Sequence, residues 1–236
     1  MKHYKALAFD VGGTVFDWQT PIRAAIQARA DKMGVQMDTR AFAFDWRTRM
    51  FVLLAKMRDG DIPWMNVDGI HRLALDEMNP TYPDLKLTGD DLDELNMVWH
   101  RLPVWPDFPD GLARLREKYS CIILTVLSWA IAVDCSRLSN IHWDGILSCE
   151  LLGKYKPHPQ VYQDAGRLLG IETGDVMMVA AHAADLSGAK AAGLGTAYVM
   201  PKLDEPDLPG FTPAPLSDFE IVAKDFTELA DILCDG

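Results

Sequence analysis

The chain has 236 residues, 49% of them hydrophobic and 24% charged, which fits one large globular domain or a domain with an insertion and excludes a disordered or fibrous chain. Twenty-three Lys and Arg against 34 Asp and Glu leave a formal charge of −11, so neither nucleic acid nor an anionic membrane surface is an expected partner. No stretch reaches the roughly 18 apolar residues of a membrane span, and the first apolar run is too short for a signal peptide.

That first run, Tyr4 to Phe9, is bounded by Asp10 and then Gly12-Gly13 and reads as a buried strand. From about Thr20 to Arg101 the apolar residues follow a helical period. They recur at Ile22, Ala25, Ile26, Ala30 and Met33, at Trp46, Met50, Leu53, Leu54 and Met57, at Ile70, Leu73 and Ala74, and at Leu92, Leu95, Val98 and Trp99. The spacing predicts about four helices, with loops at 60–63 and 79–83.

After Trp105-Pro106-Asp107 helix and strand alternate. Helices are expected at 111–119, 130–138, 160–169 and 186–192, the last stopped by Gly193. Strands are expected at 120–127, 145–148, 175–181 and 196–200, of which the first is apolar on both faces. A Pro-rich loop, 201–215, leads to a final helix at 226–233. Such alternation gives a parallel sheet with helices on both faces, so the fold class is α/β, and the helical block at 16–104 interrupts the sheet as an insertion.

In an open parallel sheet the site lies beyond the C-terminal ends of the strands. The residues found there are Asp10, Ser128, Lys156 and Asp185. An Asp can act as a nucleophile, a hydroxyl can hold an anionic oxygen of a substrate, and a Lys can keep the nucleophile ionised. Gly12-Gly13 permits a tight turn that directs N–H groups at a substrate anion. Ser128 and Asp185 also stand at helix starts, where capping is their simplest role. The four cysteines (121, 135, 149, 234) form no CxxC pair and read as reduced thiols, which sets a cytoplasmic expectation. The six histidines lack metal-ligand spacing, so no structural zinc is expected.

These residues carry a resemblance. Asp10-Val11-Gly12-Gly13-Thr14-Val15 resembles the first motif, DxxGT, of the haloacid dehalogenase superfamily. Ser128 after an apolar strand resembles the second motif, and Tyr155-Lys156-Pro157 with Tyr162 the third. The run from Val179 to Leu186, followed by Gly188-Ala189, resembles the fourth. Phe16-Asp17-Trp18, Trp46-Arg47, Trp99-His100-Arg101-Leu102 and Trp105-Pro106-Asp107 are similar to the type II (S)-2-haloacid dehalogenase branch.

The resemblance implies a Rossmann-like core over 1–15 and 105–236 with an inserted helical cap domain over 16–104. It also implies a hydrolase of small 2-substituted carboxylates, with halide the leading leaving group. Asp10 would form an ester that water then hydrolyses, paired with Lys156 and assisted by Asp185. Arg47 would hold the departing halide and Ser128 the substrate carboxylate, with Tyr162 supporting the site and Val11, Gly12, Trp129 and His182 lining it.

Phosphatases of the superfamily carry a second Asp where this chain has Gly12, and an acidic pair where it has Ala181 and only Asp185 further on, so no metal and no cofactor are expected. Departures from the branch are Gly12 for an aromatic, Trp129 and His182 each for an Asn, and Ala184 for a bulky aromatic. They leave open a different leaving group, as in a strained-ring carboxylate or a phosphate ester, or a weakly catalytic binding paralogue. A homodimer is likewise open.

Overall fold

The computed structural model describes residues 3–204 and 215–235. The chain begins with a central strand, β1 (Ala6–Phe9), all four residues of which are buried. Four helices follow: α1 (Gln19–Met33), α2 (Thr39–Asp59), α3 (Val67–Met78) and α4 (Gly89–Asn96). The chain returns to the sheet through α5 (Phe108–Arg116) and β2 (Ser120–Thr125). Then come α6 (Trp129–Leu138), β3 (Gly145–Ser148), α7 (Cys149–Leu152), α8 (Pro159–Leu169), β4 (Val176–Ala180), α9 (Ala183–Ala191), β5 (Gly195–Val199), β6 (Ile221–Ala223) and α10 (Phe226–Asp235).

The six strands pair in the order β3-β2-β1-β4-β5-β6, every pair parallel. β1 lies between β2 and β4, so successive connections run outward from it in opposite directions. That reversal opens a crevice at the C-terminal ends of β1 and β4, the place where open α/β sheets bind ligands. No helix among the described residues is long and apolar enough to cross a membrane.

Two elements depart from the sequence expectation. β6 is a three-residue edge strand with one exposed position, too short to show alternation. α7 is a single turn, started by the Ser148 hydroxyl accepting from the Glu150 N–H. The loops expected at 60–63 and 79–83 have local causes. Gly60 ends α2 in the left-handed region (φ 86°), where a side chain would be strained, and Pro80 and Pro83 begin 3-10 turns. Of the Pro-rich loop, 205–214 lie outside the described residues.

The helical segment leaves and rejoins the sheet through neighbouring residues. Asp17 N–H donates to Pro103 O at 2.9 Å, and Trp105 N–H to Val15 O at 3.0 Å. Its interior is aromatic, with Trp99 stacked on Trp18 (6.0 Å between centroids) and edge-on to Trp46 (5.7 Å). The three indoles are fully buried, so Trp46 is a core residue.

His71 belongs to the same cluster. Its ring stacks 3.9 Å from that of Trp99, its Nε2 lies 3.0 Å from Met50 Sδ, and its Nδ1 has no hydrogen-bond partner. Burial, reinforced by the charges of Arg47 and His100, holds its pKa well below the ordinary value. The folded chain therefore keeps this ring neutral while the unfolded chain protonates it near 6.5. Stability is unaffected above that pH and is lost as pH falls through it, because the unfolded state then binds the extra proton. His71→Phe keeps the stack and removes the titration. The variant is expected to lose less melting temperature than the wild type between pH 7 and pH 5. Comparing slopes cancels any uniform repacking cost, and parallel slopes would remove His71 as the cause.

Candidate active site

A cavity of about 740 Å³ opens at the crevice between β1 and β4 and is roofed by α2. Asp10 sits on its floor, one residue past β1. The turn that follows is closed by Val15 and Phe16 N–H groups donating to Val11 O (3.0 and 2.8 Å), and Gly13 adopts φ 93° within it. This turn brings Thr14 back beneath Asp10. The Thr14 hydroxyl donates to Asp10 Oδ2 at 2.8 Å and accepts from the Ala181 N–H at 3.0 Å, so one side chain ties the end of β1 to that of β4.

Lys156 lies between two carboxylates. Its Nζ donates to Asp185 Oδ2 at 2.7 Å and approaches Asp10 Oδ1 at 3.4 Å, and all three side chains are less than a tenth exposed. Tyr162 donates to Asp185 Oδ1 at 2.8 Å, so both oxygens of Asp185 are held. This packing needs glycine on α9, since a Cβ at Gly188 would stand 2.7 Å from the Tyr162 hydroxyl oxygen.

The electrostatics follow from this sharing. Burial opposes ionisation of Asp10, but the Lys156 ammonium, the His182 contact and the Thr14 hydroxyl outweigh it and hold the carboxyl below the usual carboxylate range. Asp185 is shifted up, by burial first and also by the charge of Asp10, against the pull of Lys156. Burial works against the Lys156 charge, but the two carboxylates more than offset it and raise its pKa. One carboxylate is thus firmly ionised beside a second that is closer to accepting a proton, an arrangement characteristic of nucleophile and base in one site.

Arg47 reaches the cavity from α2 and is 3% exposed. Its guanidinium lies 4.7 Å over the Trp18 ring and 5.2 Å over Phe51. Nη2 donates to Gly12 O at 3.3 Å and lies 3.4 Å from His182 Nε2. The other nitrogen of that ring, Nδ1, is 3.0 Å from Asp10 Oδ2.

Asp10, Gly12, Arg47, Lys156, Tyr162, His182 and Asp185 therefore share one cavity. Three expected residues have other surroundings. Val11 is fully buried and serves the turn through its carbonyl. Ser128 is buried beside the pocket-lining Leu127, and its oxygen caps α6 by accepting from Ile131 N–H at 3.1 Å. Trp129 does not line the cavity, contrary to its expected place in the substrate pocket. As the first residue of α6 it turns its side chain outward, 48% exposed, while its backbone N–H donates to Glu150.

The pocket also contains residues the sequence reading did not assign. Phe51, Leu54 and Ala55 build an apolar wall on α2, and Val126 and Leu127 a second after β2. Phe51 and Ala55 follow Arg47 by four and eight residues, so helical spacing from the arginine was the available signal. Thr14 stands in the first motif itself.

Among the described residues no cluster of three His, Cys, Asp or Glu is placed to hold a metal ion.

The family model of haloacid dehalogenase-like hydrolases matches residues 4–193. Among curated proteins, the (S)-2-haloacid dehalogenase 4A of Burkholderia cepacia is 28% identical over 215 residues, covering 86% of each chain. The (S)-2-haloacid dehalogenase of Xanthobacter autotrophicus is 26% identical over 227 residues, 92% of this chain and 84% of that one. Among solved structures, the L-2-haloacid dehalogenase PA0810 superposes with a TM-score of 0.88 at 32% identity over 99% of this chain and 100% of its own. The defluorinating L-2-haloacid dehalogenase Rha0230 gives 0.87 at 33% identity, over 98% and 95%.

Proposed function

The chain belongs to the haloacid dehalogenase-like hydrolases, and on that footing we propose that it displaces halide from small 2-halocarboxylates through an ester on Asp10. The observation that carries this reading is the state of Asp10. It is a buried carboxylate kept ionised by Lys156, facing a cavity whose roof holds a buried guanidinium. An ionised carboxylate needs only in-line placement to attack an sp³ carbon.

In this reading one oxygen of Asp10 bonds to C2 of the substrate. Halide departs with the electron pair of the broken bond into the field of Arg47, which the Trp18 and Phe51 rings hold in place. Ser128, buried beside Leu127 just outside the cavity, holds the start of α6 against the wall after β2 rather than reaching the substrate itself. Asp185, fixed by Lys156 and Tyr162, then takes a proton from the water that hydrolyses the ester. The helical segment, read as a cap domain over 16–104, supplies Arg47 and the apolar wall. The four cysteines stand as free thiols, which supports a cytoplasmic location.

Halide release from a panel of short 2-halocarboxylates tests the reading. We expect release from the S enantiomers, unchanged by EDTA, since the described residues offer no cluster of three His, Cys, Asp or Glu to hold a metal ion. The apolar wall on α2 favours substrates with an alkyl tail. Burying one more methylene is worth ~0.8 kcal/mol, so kcat/KM should rise about 4-fold per carbon until the wall is filled. Release that vanishes with EDTA, or no release from any member, would overturn the proposal.

A further inference from the structure

His182 contacts Asp10 and Arg47 but has no part in the scheme above. We propose that His182 is a catalytic residue of the second half-reaction, its Nδ1–H joining the Thr14 hydroxyl to form the oxyanion hole in which the Asp10 ester is hydrolysed. The inference rests on the ester reading.

The two oxygens of Asp10 are unequal. Oδ2 faces two donors, the Thr14 hydroxyl at 2.8 Å and His182 Nδ1 at 3.0 Å. Among the described residues Oδ1 has Lys156 alone as a donor, at the longer distance of 3.4 Å. With both lone pairs of Oδ2 engaged, Oδ1 is the better placed to attack C2, which leaves Oδ2 as the carbonyl oxygen of the ester. Both donors carry a proton for Oδ2. The Thr14 oxygen accepts from the Ala181 N–H, which directs its own proton at Oδ2. The ionised Asp10 carboxylate can only accept, so the ring that meets it at 3.0 Å carries a proton on Nδ1.

Hydrolysis then uses what is already in place. Water oxygen bonds to Cγ, one water proton passes to Asp185, and the carbonyl electron pair moves onto Oδ2 between the two donors. On collapse that pair re-forms the carbonyl, the Cγ–Oδ1 bond breaks, and Oδ1 departs as the 2-hydroxyl oxygen of the product, keeping the pair of the broken bond and taking the proton from Asp185. Asp10 keeps the water oxygen and sheds its remaining proton to solvent. The donors stand where charge develops, so no reorganisation accompanies the step.

Rapid-quench kinetics with (S)-2-chloropropionate on the wild type, His182→Ala and His182→Asn test the assignment. Loss of one oxyanion donor slows hydrolysis about 10²-fold. His182→Ala should therefore release one equivalent of chloride in a burst near the wild-type rate, then turn over about 10²-fold more slowly. The alkylated peptide containing Asp10 should accumulate and be visible by mass. His182→Asn, whose amide N–H can take the place of Nδ1–H, should recover most of the steady rate. Burst amplitude reports the folded fraction of each variant. If His182→Ala slows burst and steady state equally with no alkylated peptide, or if Asn behaves like Ala, the assignment is wrong. Single turnover of the wild type in ¹⁸O-water separates this from the parent reading, because label absent from Asp10 would remove the ester itself.

Discussion

With Asp10 as the proposed covalent nucleophile, Asp10→Asn is expected to lower turnover by about 10⁴-fold or more while the protein melts near the wild-type temperature, since such a change eliminates the pathway rather than tuning it. The amide is nearly isosteric. Its oxygen can keep the bonds from Thr14 and His182 on the Oδ2 side, and its NH₂ takes the Oδ1 side, where it has no lone pair to attack and gives up only the long 3.4 Å contact with Lys156. Lys156 retains Asp185 at 2.7 Å, so no buried charge is left without a partner. Single-turnover hydrolysis in ¹⁸O-water by the wild type should place label on the peptide containing Asp10, because in the proposed scheme water attacks the ester carbonyl and its oxygen stays on the enzyme. Label found only in the product, with the Asn variant still active, would mean that water attacks the substrate directly.

Lys156→Met should have the largest combined effect on rate and stability. It leaves Asp10 and Asp185 facing each other, both less than a tenth exposed, without the cation they share. Breaking a buried ion pair from one side costs about 3–5 kcal/mol. The pH dependence gives the sign. In the wild type the Asp10 carboxyl lies below its unfolded value, so its contribution is present above that value and is lost as pH falls. Without Lys156, burial and mutual repulsion raise both carboxyls above their unfolded values. The folded variant then binds more protons than the unfolded chain, and its stability recovers as pH falls. The gap in melting temperature between wild type and variant should therefore be widest near pH 8 and narrow toward pH 5. Activity should fall with it, and the acid limb of the rate profile should move to higher pH, since attack requires ionised Asp10. A gap independent of pH would show that Lys156 contributes packing alone.

Much of this site could be read from sequence because a parallel sheet converts order along the chain into nearness in space. Once 6–9, 120–125 and 176–180 are strands of one sheet, the residues after them must converge, and Asp10 and Asp185 meet through Lys156 accordingly. Arg47 was legible only through resemblance, since nothing in the spacing of α2 says which of its faces will cover the crevice. Trp129 shows where adjacency along the chain misleads. It follows Ser128 directly, but once Ser128 caps α6 the next side chain is set by helical rotation, and that carries it outward. β6 leaves no signature in the sequence because three residues at a sheet edge are too few to set a period, and neither does the single turn of α7.

The paired residues at the neck of the helical segment have a consequence for how such a chain can change. Positions 15–17 and 103–105 are bonded neighbours, so everything between them is a detour that begins and ends at the same spot. A detour of that kind can be lengthened, shortened or exchanged for another without rethreading a single strand. The sheet can stay fixed while the wall that α2 gives the cavity is rewritten, and a graft spliced at these two positions is the natural unit for altering that wall.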